Sequence, residues 1–173
     1  MPEFLTPEQN ALKDKADEFA RNVLLASDEA DDDRHAHVRS AAKTAGFFQM
    51  TQPASFGGSE APQTELTVVR ETLASYNPAS IDAVFGPSPG VLGGVTGNLR
   101  ETHLTPLMAG EKRGSFGFTE PDNVDRATFG IIEGDQLTIT GQKSYVTGGG
   151  EADFINTLVH IEERGPSMVV IDT

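Results

Sequence analysis

Cysteine is absent from the 173 residues, and basic residues are scarce. Without cysteine the chain forms no disulfide framework, no zinc-thiolate site and no thiol nucleophile, and nothing in it requires an oxidising compartment. Its 13 lysines and arginines face 26 acids, which gives a formal net charge of -13. A charge of this sign opposes broad binding to nucleic acid or anionic membranes, so neither is predicted as a partner.

Long apolar runs are also missing. No segment approaches the length that spans a bilayer, and the N-terminal MPEFLTPEQN has neither a basic stretch nor an apolar signal core. These absences predict a soluble, cytoplasmic protein without a membrane span. A chain of this size can still bury a core of its own.

The first two thirds of the sequence have helical signals. Thr6 and Gln9 flank Pro7 as a capping box, and the residues that follow repeat at helical spacing: Leu12, Ala16, Phe19 and Val23. Further helices are predicted from Asp33 to Ala45, around Leu66 to Tyr76, and from Asn98 to Gly110. Residues 86–97, rich in glycine and proline, indicate a loop or a broken helix.

After Gly114 the pattern changes to short strands. Ile131-Ile132, a Gly134-Asp135 turn and Leu137 to Thr140 predict an antiparallel hairpin, and further strands are expected at 143–147, 154–161 and 168–171. The fold class is therefore α+β, with an all-helical domain at 1–114 and a truncated antiparallel β-barrel or sandwich domain at 115–173. An open sheet of this kind predicts a covering element outside these residues.

No metal site is predicted from the histidines. His35 and His37 lie near Asp31, Asp32 and Asp33, but residues two apart do not share a helix face. His103 and His160 have no adjacent serine or acid at triad spacing, so packing or surface roles are expected for both. Gly148 to Gly150 lack the spacing of a phosphate loop and indicate a turn.

Two motifs carry the chemistry: Gly117-Phe118-Thr119-Glu120-Pro121 and Gly141-Gln142-Lys143-Ser144-Tyr145-Val146-Thr147. Together they resemble the acyl-CoA dehydrogenase family. The resemblance extends in order over Thr6 to Val23, the Phe56 to Gly58 loop and Gly97 to Glu111, so it covers nearly the whole chain. Seen alone, Thr119, Tyr145 and Thr147 are also ordinary strand residues.

The resemblance implies FAD as cofactor and an acyl-CoA as substrate. In this family FAD accepts a hydride from the β-carbon of the thioester while a carboxylate removes the α-proton, which gives a trans-2-enoyl-CoA. Thr119 and Thr147 resemble the family's flavin donors, and Phe118 and Val146 would offer backbone groups to the ring edge. Tyr145 stands where the family commonly has tryptophan and would shield the flavin.

Two departures from the family follow from the same comparison. The family's proton-abstracting glutamate lies in a C-terminal helical domain, so no catalytic base is predicted here, and Glu120 resembles a framework acid of the motif. Asp122 to Arg126 replace a glycine-rich stretch that meets flavin or CoA phosphates. Asp125 should repel phosphate, whereas Arg126 could restore the contact by a charge-assisted pair.

The leading interpretation is the N-terminal part of an FAD-dependent acyl-CoA dehydrogenase that is inactive as this chain alone. The resemblance also implies electron-transfer flavoprotein as acceptor and a homo-oligomer for the full-length parent. A related flavin oxidase or monooxygenase of the same fold stays open, because oxygen reactivity depends on residues outside this sequence. A non-catalytic flavin- or CoA-binding or interaction subunit is the alternative from another class, and the 122–126 segment favours it.

Overall fold

The computed structural model describes residues 4–26 and 33–173, so Asp31 and Asp32 of the acidic stretch lie outside the described residues. The chain divides into two compact units, Met1–Pro89 and Gly90–Thr173. Residue 114, the predicted domain boundary, marks the change from helices to strands, and the assignment of domains there stays a prediction. No helix of the described residues is long and apolar enough to cross a membrane.

The first unit begins with helix α1, Pro7–Phe19, which continues as a π-helical turn at Ala20–Leu24. The predicted capping box is confirmed, because the Gln9 N–H donates to Thr6 Oγ1 at 3.2 Å and the Thr6 N–H donates to Gln9 Oε1 at 3.1 Å. Ala16 and Phe19 are buried. The apolar stripe therefore faces the core as the spacing predicts.

Helices α2, Arg34–Ala45, and α3, Gln63–Ala74, complete this core. Gly46 ends α2 in the left-handed conformation, with φ of +78°. The buried Arg34 joins elements by donating from Nη2 to the carbonyls of Leu24, at 3.1 Å, and Ala79, at 3.3 Å. Short 3-10 turns connect the helices at Phe48–Thr51, Ala54–Phe56 and Ile81–Ala83.

The second unit opens with a 3-10 turn at Gly90–Leu92 and then a helical segment. The segment consists of α4, Gly97–Leu99, a π-helical stretch at Arg100–Leu104, and α5, Thr105–Ala109. Gly110 ends it in the left-handed conformation. The predicted helix to Gly110 is confirmed, with a π-helical middle that its residue pattern does not indicate.

Five strands form one open sheet: β1 Gly114–Gly117, β2 Phe129–Glu133, β3 Gln136–Thr140, β4 Phe154–Ile161 and β5 Gly165–Asp172. The β2–β3 hairpin and the β4–β5 pair are antiparallel, whereas β1 and β2 both pair with β4 in parallel. The helix-then-strand order is confirmed. The sheet is mixed rather than wholly antiparallel, because β1 and β2 each run parallel to their shared neighbour β4.

The strand predicted at 143–147 is wrong. These residues have no strand conformation, and Tyr145 adopts φ of +58°, which interrupts an extended chain. The β-branched and aromatic residues that indicated a strand lie instead in an irregular segment. The strands predicted at 154–161 and 168–171 are confirmed as β4 and as part of the longer β5.

Candidate functional site

The two motif segments lie side by side in the second unit. The Ser144 N–H donates to the Thr119 carbonyl at 2.8 Å, and Ser115 Oγ donates to the Thr147 carbonyl at 2.8 Å. Residues 115–119 and 143–147 therefore run in opposite directions, and we call this pair of segments the wall. Each threonine is the last residue of its own segment. Because the segments are antiparallel, Thr119 and Thr147 lie at opposite ends of the wall.

Aromatic rings are exposed on both segments of the wall. Phe118 is 55% exposed, and its ring stacks on that of Phe116 at a centroid distance of 5.9 Å and an interplanar angle of 13°. Tyr145 is 90% exposed and has a left-handed backbone, which is uncommon for a bulky residue and often marks a functional site. The wall therefore presents rings that a flat ligand can cover.

Hydrogen-bonding groups are also open along the wall. The Thr119 and Thr147 side chains are exposed, and neither hydroxyl has a partner among residues 4–26 and 33–173. The carbonyl oxygens of the neighbouring residues are occupied, since Phe118 accepts from Lys143 Nζ at 3.2 Å and Val146 accepts from the Gly149 N–H at 3.0 Å. The two hydroxyls can therefore donate to a ligand.

An ion pair lies at the Thr119 end of the wall. Glu120 Oε1 accepts from the Thr128 N–H at 3.0 Å and from Lys143 Nζ, and Glu120 Oε2 accepts from Thr128 Oγ1 at 3.1 Å. The Lys143 ammonium holds the pKa of the Glu120 carboxyl below its usual value; desolvation opposes this shift and the Thr128 donors add to it. Glu120 is thus a carboxylate with a lowered pKa that accepts three hydrogen bonds.

Sequence reasoning missed the role of Lys143 and Thr128 in this network. Lys143 belongs to the quoted motif, but Thr128 is separated from it along the chain and immediately precedes β2. Gly141 shows how closely the segments approach, because a Cβ there would lie 2.6 Å from the Thr128 Cα. The glycine at position 141 was therefore the sequence feature that could have indicated this close approach to Thr128.

Residues 122–126 contribute a cation that stacks on an aromatic ring. The Arg126 guanidinium carbon lies 3.6 Å from the centroid of the Phe129 ring, a cation–π contact. Asp125 and Arg126 are both exposed. The exposed guanidinium, stacked on this ring, can pair with an anionic group of a ligand.

A cavity of about 390 Å³ is lined by residues of the sheet and of the wall. Its lining is largely apolar and includes Leu137, Ile139, Val146, Ile155, Thr157 and Ile171. Lys143, the cation paired with Glu120, also lines the cavity.

The four histidines lie among the described residues, whereas Asp31 and Asp32 of the candidate cluster do not. No cluster of metal-ligating side chains occurs among the described residues, and His35 lies 3.4 Å from Asp82. The packing role expected for His103 is confirmed, because its buried ring meets Phe154 edge-on at 5.0 Å. His103 also contacts Asp172 at 2.9 Å, a partner that its local sequence does not indicate.

Comparison with known proteins agrees with this arrangement. The family model described as Acyl-CoA dehydrogenase, N-terminal domain matches residues 6–111, more than half of the chain. This chain belongs to the acyl-CoA dehydrogenase family. The matched region contains the helices and ends before the wall, so the family assignment and the geometry of the wall are independent observations.

Individual relatives match most of the chain. The short-chain specific acyl-CoA dehydrogenase of Clostridium acetobutylicum is 27% identical over 86% of this chain and 42% of its own length. The caffeyl-CoA reductase-Etf complex subunit CarC of Acetobacterium woodii is 27% identical over 73% of this chain and 37% of its own. The chain therefore spans less than half the length of these relatives.

A solved structure shares the fold over the whole chain. The acyl-CoA dehydrogenase of Bacillus anthracis, solved in complex with FAD, superimposes with a TM-score of 0.71 at 20% identity. The match covers 99% of this chain and 32% of that one. At this identity the likeness shows the fold alone, namely helices followed by the strands of a β domain.

Proposed function

We propose that this chain supplies the flavin-binding wall of an FAD-dependent acyl-CoA dehydrogenase. The observation that carries the proposal is the pairing of residues 115–119 with 143–147, which brings Phe118 and Tyr145 to the surface beside two unpartnered threonine hydroxyls. Membership of the acyl-CoA dehydrogenase family supports a flavin as the ligand of this surface. When bound, FAD would supply the hydride acceptor.

Each residue of the wall has a distinct role in this proposal. Thr119 and Thr147, from opposite ends of the wall, donate hydrogen bonds to polar atoms of the isoalloxazine ring, and Phe118 and Val146 offer main-chain N–H groups. Tyr145 covers the ring and excludes water, although its side chain is smaller than an indole. The wall thereby orients the ring and favours its reduced, more negative form.

The proposed reaction of the full-length protein is oxidation of an acyl-CoA thioester to the trans-2-enoyl-CoA. The glutamate that removes the α-proton is proposed to lie outside these 173 residues. Glu120 is unsuited to that role because its carboxylate already accepts three hydrogen bonds and its pKa is lowered, which makes it a weak base. This chain alone is therefore expected to be inactive.

Asp125 and Arg126 are proposed to lie near a phosphate of FAD or CoA. The Arg126 guanidinium, stacked on Phe129, can form a charge-assisted pair with phosphate. Asp125 opposes the same contact by charge repulsion. The balance favours weak phosphate binding.

The remaining expectations concern partners and location. Electron-transfer flavoprotein is proposed as the electron acceptor, and the name of the caffeyl-CoA reductase-Etf complex subunit is consistent with such a partner for one relative. The full-length protein is proposed to be a cytoplasmic homo-oligomer. A non-catalytic flavin- or CoA-binding subunit is the second candidate, because Asp125 weakens the phosphate contact.

Titration of the purified chain with FAD, followed by quenching of flavin fluorescence, tests the proposal. We expect weak binding, with affinity lowered about tenfold by Thr119→Val or Thr147→Val, since each removes one donor to the ring. Thr138→Val, an exposed strand threonine on β3, is the matched control and should bind as the wild type. Equal affinity for all variants, or no binding by the wild type, would refute the proposed site.

The same preparation tests the missing base. Addition of an acyl-CoA to the FAD-loaded chain should leave the flavin absorbance unchanged, because the proposed base lies outside these residues and the Glu120 carboxylate is already paired with Lys143. Bleaching of the flavin would instead place a base within this chain. That result would contradict the proposed division of the site.

A further inference from the structure

We propose that Lys143 is a positioning residue that fixes the register of the two segments of the wall, with Glu120 and Thr128 as its anchor. The inference rests on the proposed flavin site for its functional meaning, but its structural content can be measured without flavin. Lys143, Glu120 and Thr128 are together called the clamp. None of the three is proposed to touch a reacting atom.

The Lys143 ammonium is unusually enclosed. Its side chain is 10% exposed, whereas lysine is almost never fully buried unless it is paired. Nζ donates to the Phe118 carbonyl at 3.2 Å and to the Glu120 carboxylate. One cation thus bonds to the 118–120 segment at two points while its own backbone begins the 143–147 segment.

The anchor connects this cation to the sheet. Glu120 accepts from both donors of Thr128, which is 4% exposed. The Thr128 carbonyl in turn accepts the His160 N–H at 2.9 Å, and His160 belongs to β4. A continuous path of hydrogen bonds therefore runs from the central strand through Thr128 and Glu120 to the ammonium.

Regular strand pairing does not hold the two segments of the wall in register, so side-chain contacts such as those of Lys143 are needed. Residues 143–147 are not a strand, and the left-handed Tyr145 interrupts any ladder with 115–119. The Tyr145 ring is 90% exposed, so packing does not hold it either. Hydrogen bonds at Ser144 and Thr147 join the segment to residues 115–119, and Lys143 provides the charged contact at its start.

The clamp can be tested with a variant that removes the charge and keeps the apolar stem. Lys143→Met should raise the hydrogen-exchange rate of the Ser144 amide about tenfold, because the Ser144 bond to Thr119 loses its neighbouring support. It should also weaken FAD binding about tenfold. Lys13→Met, on the exposed face of α1, is the matched control and should change neither quantity.

Two further variants distinguish a positioning role from simple charge. Lys143→Arg keeps a cation that can reach both acceptors, so it should recover most of the FAD affinity. The double variant Glu120→Lys with Lys143→Glu keeps an ion pair, but it places an ammonium where the Glu120 carboxylate faces the Thr128 N–H and hydroxyl. We expect no recovery in the double variant, because the Thr128 N–H then lacks an acceptor.

The outcomes separate this inference from the proposed function. Unchanged Ser144 exchange and unchanged FAD affinity in Lys143→Met would overturn the clamp even if wild-type chain binds FAD. Raised Ser144 exchange in a chain that never binds FAD would support the clamp and contradict the flavin site. Should Lys143→Met fail to fold, Ser144 exchange and FAD affinity are measured in Glu120→Gln instead. Recovery of FAD affinity in the charge-reversed double variant would also refute the role of Glu120 and Thr128 as the anchor.

Discussion

Replacing Gly141 by alanine should destabilise the second unit, because the added Cβ would clash with Thr128. The added Cβ would lie 2.4 Å from Thr128 Oγ1 and 2.6 Å from the Thr128 Cα, and the backbone φ of +156° is one that side chains with a Cβ rarely adopt. Backbone atoms cannot move away as the end of a flexible side chain can. Thr128 must therefore shift, which disturbs its bonds to Glu120 at 3.0 and 3.1 Å.

Overpacking of this kind costs about 1–3 kcal/mol. A middle value of about 2 kcal/mol lowers Tm by roughly 4–8 °C for a chain of this length. Thermal unfolding followed by circular dichroism measures the change. Gly150→Ala is the matched control, since a Cβ at Gly150 meets nothing within 4 Å, and it should melt within about 2 °C of the wild type. Equal melting of the two variants would refute the argument from Thr128.

Two other predictions test the first unit and the ion pair. Gly58→Ala should cost about 1–3 kcal/mol in urea unfolding, because its Cβ would lie 1.9 Å from the Gln52 carbonyl oxygen, whereas Gly94→Ala, which meets nothing within 4 Å, should be neutral. The lowered pKa of Glu120 adds stability that is fully present above its unfolded value of about 4.3 and is lost as the pH falls through the folded pKa. Glu120→Gln should therefore lose less stability than the wild type on acidification from about pH 6 to pH 3. A parallel decline in both proteins would contradict this sign.

Local patterns predicted the helical region well. The capping box at Thr6, the terminating Gly46 and the stripe through Ala16 and Phe19 depend on residues within one or two turns of each other, so the sequence alone contains the needed information. The β2–β3 hairpin was predictable for the same reason, because its turn at Gly134 joins adjacent strands.

Strand pairing and the segment at 143–147 were less predictable. A run of β-branched and aromatic residues indicates an extended chain, but it does not say which neighbour will accept its hydrogen bonds. Here β4 is already paired with β5 on one edge and with β1 and β2 on the other. Residues 143–147 lie beside β1 as an irregular segment in which Tyr145 has a positive φ.

The amino-acid sequence by itself determined the order of helices and strands, the helix ends and the two motifs of the family, because each depends on neighbouring residues. Only the tertiary structure decided the parallel pairing of β1 and β2 with β4, the contact of His103 with Asp172, and the enclosure of the Lys143 ammonium. These contacts join residues far apart along the chain, and their geometry depends on how the whole sheet packs.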